Sequence, residues 1–168
     1  MRARTLGGLP RFARLAGLEM ARTRSYRELI AWQKAMKLAK SAYDLTAGFP
    51  RNEAFGLVSQ IHRAAISVPS NIAEGHGRLT DMQFRQFLGN ARGSLCEVQT
   101  QIELAHDLGH IDTGELRKFM EQGREVARLI NGLITALRDS ARQSRGSLTP
   151  LSAQSAANSA DSAQKRPH

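Results

Sequence analysis

The sequence predicts an all-α protein, an antiparallel up-down-up-down four-helix bundle. Between residues 25 and 139, apolar residues recur at steps of three and four in four successive segments, which is the spacing of a buried helix face. No segment shows sustained alternation of apolar and polar residues, the pattern of a half-buried strand. The connections are short and contain Gly and Pro, so each helix is expected to fold back along the one before it.

The first helix opens with a capping box, in which Ser25 is followed three residues later by Glu28. Gly48 and Pro50 are expected to stop this helix, because one favours a C-cap and the other lacks a backbone N–H. Its predicted core face carries Leu29, Trp32, Met36, Ala39 and Tyr43.

The second helix is expected to begin near Asn52 and to end at Gly75 and Gly77. Its predicted core face carries Val58, Ile61, Ala65, Val68 and Ile72. Pro69 lies inside this pattern, where it removes a backbone N–H and clashes with the preceding turn. Because the apolar spacing continues across the proline, we expect one helix that is kinked at Pro69.

Capping boxes also mark the starts of the third and fourth helices. Thr80 with Gln83 opens the third helix, and Gly109 is its predicted C-cap. Asp112 with Glu115 opens the fourth helix. The apolar repeat of the third helix is Phe84, Leu88, Ala91, Leu95, Val98, Ile102 and Ala105. That of the fourth helix is Leu116, Phe119, Gly123, Val126, Ile130, Leu133 and Leu137.

The basic residues of the chain are concentrated at its two ends. The 168 residues carry a net charge of +9, of which residues 1–24 hold +5, residues 25–139 hold +1 and residues 140–168 hold +3. We expect residues 1–24 to be a disordered basic extension, with a partial basic amphipathic helix as the alternative and Met20 as a second candidate start. Residues 140–168 are rich in Ser and Ala and are expected to be a disordered basic tail.

Several function classes have no support in the sequence. The single cysteine, Cys96, allows no intramolecular disulfide and suits a reducing cytoplasm. No apolar run is long enough to span a membrane. One Glu103–His106 pair is half of a di-iron motif, and the other helices supply no second pair. We therefore expect no metal, no cofactor, no membrane partner and no enzymatic activity, since no catalytic constellation is present.

The run from Gln60 to Gly75, with its Ser67-Val68-Pro69-Ser70-Asn71 centre, resembles the signature of the 23S rRNA intervening-sequence protein family, a family of bacterial four-helix bundles. The stretches 32–36 and 92–97 fit the same pattern, and the resemblance covers residues 25 to about 138. It implies a homo-oligomeric ring, with pentamers known in the family, and no established catalysis. The family is similar to the accessory protein of diversity-generating retroelements, which binds nucleic acid and a reverse transcriptase.

An association surface is predicted on the third helix, on the side opposite its apolar repeat. Two glycines one turn apart lower helix stability by about 1 kcal/mol each, and close approach of another helix is a reason to keep them. The first helix is expected to contribute two leucines that lie away from its predicted core face. The predicted oligomer interface comprises Leu38, Leu45, Gly89, Gly93, Cys96 and Thr100.

A polar motif is predicted between the second and third helices. One interpretation is a polar site, in which paired carboxylates perform acid–base chemistry. The favoured interpretation is a hydrogen-bonded network that sets helix register around the proline and the carbonyl it leaves free. The motif comprises Ser67, Pro69, Asn71, Glu74, Ser94 and Glu97.

A basic ridge on the first helix, with one arginine from the second, is the predicted nucleic-acid-binding surface. Its residues are Arg27, Lys34, Lys37, Lys40 and Arg63. Repeated by oligomerisation and helped by the basic ends, it would contact RNA or DNA phosphates in a salt-dependent way. The predicted function is therefore a cytoplasmic, non-catalytic accessory protein that binds nucleic acid. The alternative is a structural adaptor that binds a protein partner and no nucleic acid.

Overall fold

The computed structural model describes residues 23–53 and 56–146, and within them it contains four α-helices and no β-strand. The helices are α1 (Ile30–Thr46), α2 (Leu57–His76), α3 (Asp81–Asp107) and α4 (Thr113–Gly146). Short 3-10 turns at Tyr26–Glu28 and Arg51–Glu53 precede α1 and α2. The predictions for residues 1–22 and 147–168 lie outside the described residues.

The helices pack around one apolar core, and each helix contacts two neighbours. Helix α1 packs against α2 and α4, and α3 packs against the same two helices. All seven predicted apolar positions of α3, from Phe84 to Ala105, are buried. Burying a leucine side chain stabilises the fold by about 1.5–3 kcal/mol relative to leaving it exposed, so this one face is a large part of the core.

The predicted core face of α1 was right at Leu29 and Ala39, which are buried, and wrong at Met36 and Tyr43. Ala35 and Leu38 are wholly buried, whereas Met36 is 44% exposed and Tyr43 is 42% exposed. The buried face is turned from the predicted one by about the 100° step of a single residue. Small alanine side chains let α1 approach its neighbours closely, and the larger side chains are left at the border with α2. Leu38 belongs to the core, so it is not available to the predicted oligomer interface.

Two of the three predicted capping boxes start α-helices. The Thr80 hydroxyl accepts the Gln83 N–H at 3.2 Å at the start of α3. At the start of α4, Asp112 Oδ1 accepts the Glu115 N–H at 2.8 Å, and Glu115 Oε2 accepts the Asp112 N–H at 2.9 Å. The backbone N–H groups of Glu115 and Gly114 lower the pKa of the Asp112 carboxyl, because they stabilise its charged form.

The capping box at Ser25 caps a 3-10 turn, not the first α-helix. The Ser25 hydroxyl accepts the Arg27 N–H at 3.3 Å, within the turn Tyr26–Glu28. The backbone is then extended at Leu29, where ψ is 117°, and α1 starts at Ile30. Leu29 is fully buried, so its packing against the core explains why the chain leaves the helical path there.

Helix α2 runs continuously through Pro69, which is buried. Gly75 lies inside the helix, one residue before its end at His76. A Cβ at Gly75 would stand 2.6 Å from Phe87 Cβ and 2.8 Å from a ring carbon of Phe84. Gly75 therefore permits close packing on α3 and does not end the helix, whereas Gly77, the other predicted stop, is the C-cap.

Helix α4 extends past the predicted domain boundary at residue 139 and ends at Gly146. Ser140 is only 8% exposed, so the first turn beyond the boundary still packs against the bundle. The predicted disordered tail therefore does not begin at residue 140. The low apolar content beyond residue 139 predicts disorder, but α4 continues there because its earlier turns are already packed against the bundle.

Candidate nucleic-acid interface

The structure divides the predicted basic ridge into paired and unpaired cations. Lys34 Nζ lies 2.8 Å from Glu125 Oε1 on α4, so it faces the α1–α4 border. Lys40 Nζ lies 2.6 Å from Asp44 Oδ2, one turn along α1. Within the described residues no carboxylate lies within 4 Å of the other three, Arg27, Lys37 and Arg63, and all three are exposed. These three, called the open cations below, are free to meet an external anion.

Two of the open cations are held by neutral neighbours. The Arg27 guanidinium lies over the Tyr26 ring, 4.7 Å from its centroid, which is a cation–π contact. Gln33 donates to the Arg27 carbonyl at 2.9 Å, so the turn that carries this arginine is tied to α1. On α2, Arg63 Nη2 donates to Gln60 Oε1 at 2.9 Å. These neighbours orient the guanidinium groups and leave their charge uncompensated.

An open groove, called the apolar groove below, lies between α1 and α2 and has a volume of about 460 Å³. Three of its residues, Met36, Tyr43 and Ile66, are each more than 40% exposed. Its complete lining is Tyr26, Trp32, Met36, Ala39, Lys40, Tyr43, Ile66, Pro69, Ser70 and Ala73. The groove is not predicted from the sequence, because the apolar spacing of the first helix assigns Trp32, Met36 and Tyr43 to the core.

A histidine supports the edge of the apolar groove. The His62 ring stacks on the Tyr43 ring with centroids 3.7 Å apart, and its Nε2 lies 2.7 Å from the Thr46 hydroxyl. The Thr46 hydroxyl also lies 2.9 Å from the Ala42 carbonyl, so this contact ties His62 to the end of α1. Partial burial lowers the pKa of His62, because desolvation disfavours the imidazolium. Burial therefore favours the neutral form of the His62 ring.

The predicted polar motif is in part a hydrogen-bonded network between α2 and α3. The Ser67 and Ser94 hydroxyls lie 2.8 Å apart, and Asn71 donates to the Ser67 carbonyl at 2.8 Å and to its hydroxyl at 3.0 Å. The amide does not reach the Ala65 carbonyl, which is the group that Pro69 deprives of its helical partner. The network therefore joins two helices through hydroxyls and one amide.

The two carboxylates of the motif lie outside that network. Glu74 pairs with Arg78 one turn along the chain. Glu97 is exposed and accepts from Gln101 at 3.4 Å. No contact joins the two carboxylates, so the structure offers no carboxylate pair for acid–base chemistry among these residues.

The predicted association surface on α3 is exposed. Gly89, Gly93, Cys96 and Thr100 are all solvent-accessible, and a Cβ at either glycine would meet no atom within 4 Å. Thr100 donates to the Cys96 carbonyl at 2.9 Å, a bond within the helix. Leu45, the remaining α1 member of the set, is half-buried and packs against the core. The structure thus keeps the α3 residues together and separates the α1 leucines from them.

Other kinds of site find no support in the part of the chain that the structure describes. No group of three or more His, Cys, Asp and Glu side chains is arranged to hold a metal ion there. Among the described helices, none combines the length and apolar character needed to cross a bilayer.

Four packed helices, joined by short connections and described without a strand between residues 23 and 146, define a small helical-bundle protein. The chain belongs to the 23S rRNA-intervening sequence protein family, whose model matches residues 27–132. The match begins in the turn ahead of α1 and ends inside α4, so it includes residues from all four helices. It confirms the family to which the sequence motifs pointed. No curated protein matches the chain.

Proposed function

We propose that this protein is a non-catalytic, cytoplasmic accessory protein that binds RNA or DNA through the sugar-phosphate backbone. The observation that carries the proposal is the side of the bundle formed by α1 and α2. There, three cations without carboxylate partners lie on α1, on α2 and on the turn before α1, the elements that also form the aromatic, apolar groove. Arg27 is in direct contact with a ring that lines this groove.

Cations and partly exposed rings on the same side of the bundle suit a single strand. Lysine and arginine side chains replace the counterions of phosphates, and aromatic side chains stack on unpaired bases whatever their identity. Trp32, Tyr26 and Tyr43 provide rings in the groove, and the open cations provide positive charge on α1, α2 and the turn before α1. The binding mode is therefore sequence-tolerant and salt-dependent.

The bundle is proposed to act as a homo-oligomer, a ring and in particular a pentamer, as the family resemblance implies. The exposed α3 surface supports association, because Gly93, Cys96 and Thr100 place only small side chains there. Oligomerisation would repeat the open cations in every copy, which raises affinity for a long polyanion without any new type of contact.

We also propose the two finer features of the predicted fold, antiparallel packing of the helices and a kink at Pro69. Met82 near the start of α3 and Arg138 near the end of α4 line one cavity, which supports antiparallel packing of those helices. A kink at Pro69 follows from the backbone N–H that the proline lacks, because the Ala65 carbonyl loses its usual helical donor.

The second candidate function is an adaptor that holds a protein partner, a reverse transcriptase being the example that the family resemblance supplies. The apolar groove favours this candidate, because an amphipathic helix buries its apolar face in such a groove. Met36, Tyr43 and Ile66 would be covered by that helix. The adaptor needs no phosphate contact, so salt dependence separates it from the first proposal.

The test is fluorescence anisotropy with a labelled single-stranded RNA at two salt concentrations. The variant Arg27→Gln/Lys37→Gln/Arg63→Gln is compared with a control that removes three exposed arginines of α4, Arg117→Gln/Arg124→Gln/Arg128→Gln. We expect the first triple variant to weaken binding at least tenfold and to lower the salt slope by about 2, since each lost phosphate contact removes about 0.7.

The control loses the same net charge, so equal weakening by both variants would reject the α1–α2 surface. No binding by the wild-type protein at low salt would reject nucleic-acid binding and favour the adaptor.

A further inference from the structure

A second basic surface lies on the opposite side of the bundle, between α3 and α4. Two adjoining cavities of about 550 and 300 Å³ open there, and Arg85 and Arg138 line both. Arg92 lines the larger cavity, and Arg142 lines the smaller one. We call these four residues the arginine groove. They lie far from the α1–α2 surface, because α3 and α4 form the other half of the bundle.

The charge of the arginine groove is uncompensated within the described residues. No Asp or Glu lines either cavity. Asp81 and Asp139, the acids nearest in sequence, make no ion pair with any of the four arginines, and neither does any other described carboxylate. Arg85 Nε is buried and has no hydrogen-bond acceptor. Guanidinium groups gathered in this way repel one another, and the attraction of each group to a bound anion would offset that repulsion.

The rest of the lining suits an oxyanion. Gln86 and Thr135 add neutral donors, and Asn131 accepts from Arg92 Nη1 at 3.4 Å. Gly89 lies in the larger cavity, where a Cβ would meet no atom within 4 Å. The absence of a side chain at Gly89 therefore leaves room for a ligand. This gives the glycine a reason other than self-association.

We propose that the arginine groove binds phosphate groups, and that these belong to a nucleic-acid backbone. Guanidinium groups bind phosphate oxygens with two parallel hydrogen bonds. The groove is open and covers about three turns of each helix, from Met82 to Arg92 on α3 and from Asn131 to Arg142 on α4, which suits successive phosphates of a strand better than one enclosed small molecule. The anion site stands by itself, whereas the source of the phosphate rests on the proposed function.

With both surfaces occupied, one bundle contacts nucleic acid on two sides, at the open cations and at the arginine groove. The sequence carries a signal for the second surface. Arg85 and Arg92 are seven residues apart, and Arg138 and Arg142 are four apart, so each pair lies on one helix face. What the sequence does not show is that α3 and α4 bring the two pairs together.

The test places a carboxylate in the groove. Gly89→Glu is compared with Gly93→Glu, which adds the same charge one turn away at a position that lines neither cavity. Both glycines are exposed members of the predicted association surface, so a general effect on association or charge is shared by the two variants. The probes are a labelled single-stranded oligonucleotide, followed by anisotropy, and inorganic pyrophosphate, followed by chemical-shift changes.

We expect Gly89→Glu to lower the affinity for both probes at least tenfold more than Gly93→Glu does. Loss confined to pyrophosphate would keep the anion site but assign it to free phosphate, which would overturn the nucleic-acid part of this inference. Equal behaviour of the two variants with both probes would overturn the site. If the open-cation variant then still weakened oligonucleotide binding, the proposed function would stand without this inference.

Discussion

At the scale of single residues, the glycines of this bundle differ in what surrounds them. A Cβ at Gly75 would collide with Phe84 and Phe87, whereas a Cβ at Gly132 would meet nothing within 4 Å. Both glycines lie inside helices, where glycine lowers helix stability by about 1 kcal/mol relative to alanine. The atoms around each glycine therefore decide whether substitution by alanine stabilises or destabilises the protein.

Gly75→Ala is expected to destabilise the protein by about 1–3 kcal/mol, because the added methyl overpacks the α2–α3 contact. Gly132→Ala, the control, is expected to stabilise it by up to about 1 kcal/mol. Urea denaturation followed by circular dichroism measures both. A Gly75→Ala protein as stable as the wild type would show that α2 and α3 are not packed this closely.

His62 makes the stability of the protein depend on pH, and its lowered pKa sets the direction of that dependence. Its pKa is lowered in the folded state by burial, so the unfolded chain takes up the proton first as the pH falls below about 6.5. The stability from the neutral ring is complete above that pH and decreases as the pH falls towards the folded value. We expect His62→Gln to flatten the fall in urea midpoint between about pH 7.5 and 5. A variant with the same pH profile as the wild type would contradict this role.

At the scale of helices, α1 shows how a periodic pattern can indicate a helix and still misassign its buried face. Large apolar residues dominate the pattern, but the face that contacts the core is formed by alanines and Leu38. Close approach favours small side chains, and a single helix carries no information about how close its neighbours come. The large residues left outside form the apolar groove.

Leu38 and Met36 provide a direct test of this orientation. We expect Leu38→Ala to lower the free energy of unfolding by about 2–5 kcal/mol, since it opens a cavity in a fully buried site. Met36→Ala is expected to change it by less than about 1 kcal/mol, because that side chain is 44% exposed. Chemical denaturation of both variants measures the difference, and the reverse order would restore the orientation predicted from sequence.

The polar contact between α2 and α3 is also measurable. A double-mutant cycle of Ser67→Ala and Ser94→Ala is expected to give a coupling free energy of about 0.5–1.5 kcal/mol, the net value of one hydrogen bond. Urea denaturation of the four proteins supplies the cycle. Additive effects of the two substitutions would mean that the hydroxyls do not interact.

At the scale of the whole molecule, charge is distributed over two separate surfaces. The open cations lie on α1, α2 and the turn before α1, and the arginine groove lies on α3 and α4. Residues 25–139 are nearly neutral in sum, so the net charge of the bundle does not reveal either basic surface. Acids elsewhere in the bundle cancel the total without approaching these arginines.

Association of copies is the remaining prediction at this scale. Light scattering of the wild-type protein is expected to give a multiple of the 18.5 kDa chain mass. Thr100→Arg places a bulky charge on the exposed α3 surface and is expected to lower the measured mass at equal concentration. A wild-type mass of one chain at every concentration would reject the oligomer.

The sequence by itself determined the helical class, the family, the caps at Thr80 and Asp112, and the buried face of α3. These features depend on local hydrogen bonds and on a repeat within one helix, which a linear pattern records. Tertiary structure decided the features that depend on two helices at once: which face of α1 is buried, why Gly75 must lack a side chain, and which cations remain unpaired. The distance between side chains on different helices is set by their packing, and no spacing within one helix contains it.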